Sequence, residues 1–122
     1  MATISKQFLS NSLSGRQVLV TSLTAVSANA IHTPPAGGSI IDEVWLYAYN
    51  SSVSSAVLTI LWGPPALLGV QSCDEVKVTV PPQSGRMLVT EGKLIQNSQS
   101  IYTYSTISST INIDGYINRY TY

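Results

Sequence analysis

Charged side chains are scarce in this sequence: Asp, Glu, Lys and Arg make up 10% of its 122 residues, where an ordinary globular domain has about 25%. Six cations offset six anions, for a formal net charge of zero. No basic face is available to neutralise phosphates, which argues against nucleic acid, and no polybasic cluster is present to hold a membrane surface. One histidine and one cysteine are too few for a Cys/His zinc site or for any site built on paired histidines. The lone Cys73 cannot close a disulfide within the chain, and a single thiol fits a reducing compartment at least as well as a secreted one.

Long apolar runs are missing too. The best, from Ala56 to Trp62, stops at Gly63-Pro64-Pro65, far short of the ~20 residues that span a bilayer. A secretory leader is also not expected. Lys6 and Arg16 precede Val18-Leu19-Val20, and Ala28-Asn29-Ala30 looks like a cleavage site, but Thr21, Ser22 and Thr24 break the apolar region and residues 10–15 are polar.

Motifs that carry chemistry do not occur. There is no Gly-x-Ser-x-Gly elbow, no Gly-x-Gly-x-x-Gly or Walker loop, and no Asp-x-Asp-x-Asp-Gly calcium loop. His32 reads as a strand histidine beside the Pro34 turn, half exposed and hydrogen-bonded to backbone. Asp42-Glu43 and Asp74-Glu75 each begin a strand, where neighbouring side chains point to opposite faces and cannot share a proton. Carboxylates could still meet across strands and flank a glycosidic bond, but the simpler reading is charge that marks strand edges and discourages unwanted pairing. No catalytic residue, metal ligand or cofactor-binding residue is expected, so the chain does not read as an enzyme.

What the sequence does have is period-two alternation, repeated between clusters of Gly, Pro, Ser and Asn, with no sustained 3.6-residue period. Residues 1–15 are Ser-rich and are expected to form an extended N-terminal arm, with a β-sandwich domain over 16–122. Strands are expected at Val18–Val20, at Ala30-Ile31-His32-Thr33, at Ile40–Asn50 and at 55–62, the last two joined as a hairpin by 50–54. At 75–80, Val76, Val78 and Val80 face one way and Glu75, Lys77 and Thr79 the other. Residues 86–90 form the next strand, then a Glu91-Gly92 turn, a short Lys93-Leu94-Ile95 piece, and strands at 101–107 and 111–120, with Gly115 as a candidate bulge. About eight short strands at this spacing imply an all-β, antiparallel, jelly-roll-like sandwich.

The aromatics are the informative set. Along Ile40–Asn50, Val44, Leu46 and Ala48 share one face while Trp45, Tyr47 and Tyr49 share the other, so neither face is ordinary solvated surface. Tyr102 and Tyr104 alternate similarly, and Tyr116, Tyr120 and Tyr122 recur at even positions of the terminal strand. A two-sided core with hydroxyls at its rim is one reading. A protein interface on Trp45, Tyr47, Tyr49, Tyr116, Tyr120 and Tyr122 is the second, since interfaces gather Tyr and Trp and shed charge. A sugar-stacking platform is the third.

Ile41-Asp42-Glu43-Val44-Trp45-Leu46-Tyr47-Ala48-Tyr49-Asn50 resembles a group of small virion proteins from the head region of tailed bacteriophages. Leu58-Thr59-Ile60-Leu61-Trp62-Gly63, Val78-Thr79-Val80-Pro81 and Ile111-Asn112-Ile113-Asp114-Gly115-Tyr116-Ile117-Asn118-Arg119 follow in order, so the similarity spans about residues 16–120. The resemblance implies a virion-located capsid decoration or cement protein. It would act as a symmetric homo-oligomer, a trimer first, against the major capsid protein or neighbouring virion proteins. A head-to-tail connector or tail subunit, and a small carbohydrate-binding module, are the alternative functions.

Overall fold

The computed structural model describes residues 2–63 and 74–122; Cys73 and the loop 64–70 lie outside the described residues. Nine strands are present among them: β1 (Thr3–Phe8), β2 (Val18–Val20), β3 (Asn29–His32), β4 (Ile40–Asn50), β5 (Ala56–Trp62), β6 (Asp74–Val80), β7 (Met87–Ile95), β8 (Ile101–Ser105) and β9 (Ile111–Thr121). A front sheet runs β1-β9-β4-β7, with β2 paired to β9 on the same edge as β1; a back sheet runs β3-β8-β5-β6. All pairings are antiparallel. With β1 set aside, β2-β9-β4-β7 faces β3-β8-β5-β6, and every pair of successive strands except the adjacent β5 and β6 passes between the sheets, which is jelly-roll topology.

Alternation builds the core. Val44, Leu46 and Ala48 of β4 lie beside Ile117, Gly115 and Ile113 of β9. They meet Ala56, Leu58, Ile60 and Trp62 of β5 and Ile101 of β8 in one buried cluster. Each fully buried aliphatic side chain contributes about 1.5–3 kcal/mol. Trp45, Tyr47 and Tyr49, one residue out of phase, stay half-buried on the outer face.

Several local expectations change. β4 and β5 do not form a hairpin, because they belong to different sheets. Asn50 turns the chain across the sandwich instead: its Nδ2 donates to the Ser54 and Val80 carbonyls at 2.7 and 3.1 Å, and its Oδ1 accepts from the Ser52 N–H at 2.9 Å. The expected Glu91-Gly92 turn is a bulge inside a single nine-residue strand, β7. Register against β4 skips Gly92 between Lys93 and Glu91, and Gly92 has φ +67°, the left-handed residue such a bulge requires. Gly115 is no bulge against β4, since the β4–β9 register runs unbroken through Leu46 and Gly115. Glycine is needed there because a Cβ would collide with the Trp45 carbonyl oxygen and lie 3.1 Å from the Leu46 Cα.

The core face of β6 fades along the strand. Val80 is buried and Val78 half-buried, but Val76 is 40% exposed. Within residues 1–15, β1 lies along β9 with all six of its residues exposed.

Candidate assembly surface

The front sheet's outer face collects most of the aromatic set. Register places Trp45 opposite Tyr116, Tyr47 opposite Asp114, and Ile41 opposite Tyr120. The Trp45 and Tyr116 rings stack with centroids 6.2 Å apart and planes 10° from parallel. Tyr49 Oη donates to Gln17 Oε1 at 2.7 Å. The Arg86 guanidinium lies 3.8 Å from the Tyr47 ring centroid and is held there by Asp114, to which its Nε donates at 2.8 and 3.0 Å. Lys6 of β1 reaches over Tyr116, 4.5 Å from the ring centroid. Glu43 ties the lower part together, accepting from Trp45 Nε1 and Asn118 Nδ2, each at 2.9 Å, and from Tyr120 Oη at 3.3 Å. The Trp45 bond first, then those from Asn118 and Tyr120, hold its carboxyl below the ordinary carboxylate range despite the opposing effect of burial.

Of the six aromatics singled out from the sequence, Trp45, Tyr47, Tyr49, Tyr116 and Tyr120 therefore share one half-buried face. Tyr122 continues that parity beyond β9, 66% exposed. Tyr102 and Tyr104 lie on the other sheet, pairing with Leu61 and Thr59 of β5.

A second constellation is buried at one end of the sandwich. His32 on β3 of the back sheet and Asp42 on β4 of the front sheet are both fully buried, with Nε2 and Oδ2 2.7 Å apart. Arg119 on β9 approaches the same carboxylate, Nε to Oδ1 at 2.8 Å and an Nη nitrogen to Oδ2 at 3.1 Å. The Ser10 backbone N–H donates to His32 Nδ1 at 3.0 Å, so Nε2 carries the ring proton and gives it to Asp42. The expectation of a half-exposed His32 fails because β3 and β4 converge here and the chain just after β1 closes over the ring. Asp42 marks no edge, because β4 is a central strand.

Burial first, and the Arg119 charge with it, keep the imidazole neutral below its ordinary pKa, against the opposing pull of Asp42. Burial alone would raise the Asp42 pKa, but hydrogen bonds from Arg119 and His32, with the Arg119 charge, outweigh it and lower the value. The arrangement activates no nucleophile: Nδ1 is occupied by a backbone amide, and Ser10 Oγ instead accepts from the Thr33 N–H at 2.8 Å. The cluster is a clamp joining the two sheets and the N-terminal segment. Sequence reasoning missed Ser10 and Arg119 because their partners are 22 and 77 residues away.

The chain matches no family model and no curated protein sequence. A solved structure described as "Bacillus endospore appendages form a novel family of disulfide-linked pili" has a similar fold, with a TM-score of 0.54 and 11% identity over 99% of this chain and 88% of its own.

Proposed function

We propose that the chain is a non-catalytic structural subunit that works through protein contacts, assembling with copies of itself into a larger particle. The observation that carries this reading is the outer face of the front sheet, where five aromatics stay half-exposed in a chain with little charge to solvate it. Interface cores gather Tyr and Trp and shed charge in the same way. Trp45, Tyr47, Tyr49, Tyr116, Tyr120 and Tyr122 are the contact residues of this proposal, and residues 1–15 its attaching arm.

A pilus subunit of similar fold supports the assembling role. Its pili are described as disulfide-linked. This sequence holds one cysteine, which can join subunits in pairs and no further, so disulfides alone cannot link this chain into an extended assembly and the proposal rests on non-covalent contacts. Large area and symmetric repetition supply the affinity that covalent links would otherwise give.

A second reading places these contacts on a tailed-phage head, as a virion decoration protein cementing the major capsid protein. It is favoured by the strand landmarks from Ile41 to Arg119 that resemble such proteins. Light scattering and negative-stain microscopy on the purified chain, over 1 to 500 μM, test the assembling role directly. Concentration-dependent multimers or ordered particles are expected. A chain that stays monomeric throughout overturns the self-assembling reading, and its absence from purified particles of its source overturns the second as well.

A further inference from the structure

The two free edges of the front sheet carry matching patterns. Among the described residues β1 pairs only with β9, and β7 only with β4. On β1 the outer-face residues are Ile4, Lys6 and Phe8, since they stand opposite Tyr120, Asn118 and Tyr116. On β7 they are Leu88, Glu91 and Leu94, opposite Tyr47, Trp45 and Glu43, the two register shifts keeping all three on one face. Apolar, cation, apolar on one edge therefore meets apolar, anion, apolar on the other. Ile4 and Phe8 are 65% and 64% exposed, and Leu88 and Leu94 43% and 60%. Lys6 and Glu91 are exposed, and neither forms an ion pair with the described residues.

We propose that β1 of one copy pairs with β7 of the next, joining front sheets edge to edge into a continuous antiparallel sheet; this rests on the assembling role proposed above. Polarity allows it. Each neighbour in the front sheet is antiparallel, so β1 and β7 run in opposite directions, and a copy carried sideways without inversion presents an antiparallel edge. Side-by-side placement at equal height sets Phe8 level with Glu91, because both are level with Trp45 through Tyr116. A slip of two residues brings Lys6 to Glu91, with Ile4 and Phe8 against Leu94 and Leu88. An even slip leaves every side chain on its own face and offsets successive copies by about 7 Å. The contact is heterologous, so it propagates as a helical filament unless the rotation happens to close a ring. Exposed edges normally carry devices against such pairing. Here the one outer-face charge on each edge, Lys6 on β1 and Glu91 on β7, with Lys93 on the other face of β7, selects the opposite edge, because β1 against β1 would bring Lys6 to Lys6, and β7 against β7 Glu91 to Glu91.

The test is a charge exchange in the full chain. Lys6→Glu and Glu91→Lys should each fold normally and each raise the concentration for half-assembly tenfold or more. A 1:1 mixture of the two should assemble again, since each variant's β1 then meets an opposite charge on the other's β7. Leu94→Lys, on an exposed side chain, should abolish assembly alone. In a Cys73→Ser background, Lys6→Cys with Glu91→Cys should give a ladder of oxidised multimers. If wild type assembles but both charge variants assemble equally well, the β1–β7 contact is wrong while the assembling role stands. If wild type does not assemble, both fall.

Discussion

The Ser10 backbone N–H donates to Nδ1 of His32 at 3.0 Å, which leaves the ring's other nitrogen to donate to Asp42 and fixes His32 as a neutral group. Protonation would place a second hydrogen on Nδ1, facing a donor. The imidazole's folded pKa is accordingly lowered, so the unfolded chain binds the proton more readily. Stability is then full above about pH 6.5 and is lost as pH falls from there toward the folded value. Asp42, also lowered, adds a second loss as pH drops through the ordinary carboxylate range. Thermal melts at pH 8, 7, 6 and 5 should show a decline below 6.5. Because His32 is the only histidine, His32→Gln should remove most of the decline between pH 7 and 5.

Arg119 offsets the charge of a carboxylate that has no access to water. Arg119→Ala leaves that charge with the His32 donor alone, and the expected cost is about 3 kcal/mol, a fall in Tm on the order of 10 °C. Arg119→Ala with Asp42→Asn should recover part of the loss. Denaturant titration that found the single variant as stable as wild type would mean the clamp is dispensable.

Gly115→Ala puts a methyl group against the Trp45 carbonyl in the middle of the front sheet, at a φ of +154° that side chains avoid. Nothing flexible can move aside, because the obstacle is backbone. The variant should lose about 3 kcal/mol or more, or fail to fold in soluble form. Gly38→Ala, with no atom near the added carbon, is the control and should be close to neutral.

The three valines of β6 should respond to aspartate in order of burial. Val80→Asp buries an unpaired carboxylate and should abolish folding, since several kcal/mol is lost from a total of about 5–15. Val78→Asp should be intermediate and Val76→Asp the mildest. Equal effects on soluble yield at all three positions would contradict the fading core face.

Tyr47 separates surface from core among the aromatics. Its ring lies under Arg86 and is half-buried, so Tyr47→Ala should cost the subunit about 1 kcal/mol at most. At a protein contact the same truncation should weaken assembly roughly thirtyfold, as about 2 kcal/mol does. A large fall in Tm with unchanged assembly would make Tyr47 an ordinary structural residue.

Alternation in the sequence determined which residues face inward. Val44, Leu46 and Ala48 against Trp45, Tyr47 and Tyr49 could be assigned to opposite faces because a strand's side chains alternate whatever it pairs with. The all-β class, most strand positions and the sandwich followed from that local rule. Thr3–Phe8 alternates as well, with Ile4, Lys6 and Phe8 on one parity, but all six of its residues are exposed, so the segment has no buried apolar face of the kind that marks a strand in sequence. Only the tertiary structure decided which sheet each strand joins, because a five-residue link such as 50–54 serves a hairpin and a crossing between sheets equally well, and the Asn50 hydrogen bonds choose between them. It alone also decided the burial of His32, whose partners Asp42 and Ser10, and the Arg119 that holds Asp42, come from three different strands or loops. The pairing of the Ile4-Lys6-Phe8 edge with Leu88-Glu91-Leu94 is of the same kind: each pattern is written locally, but that they occupy the two ends of one sheet is set by the fold.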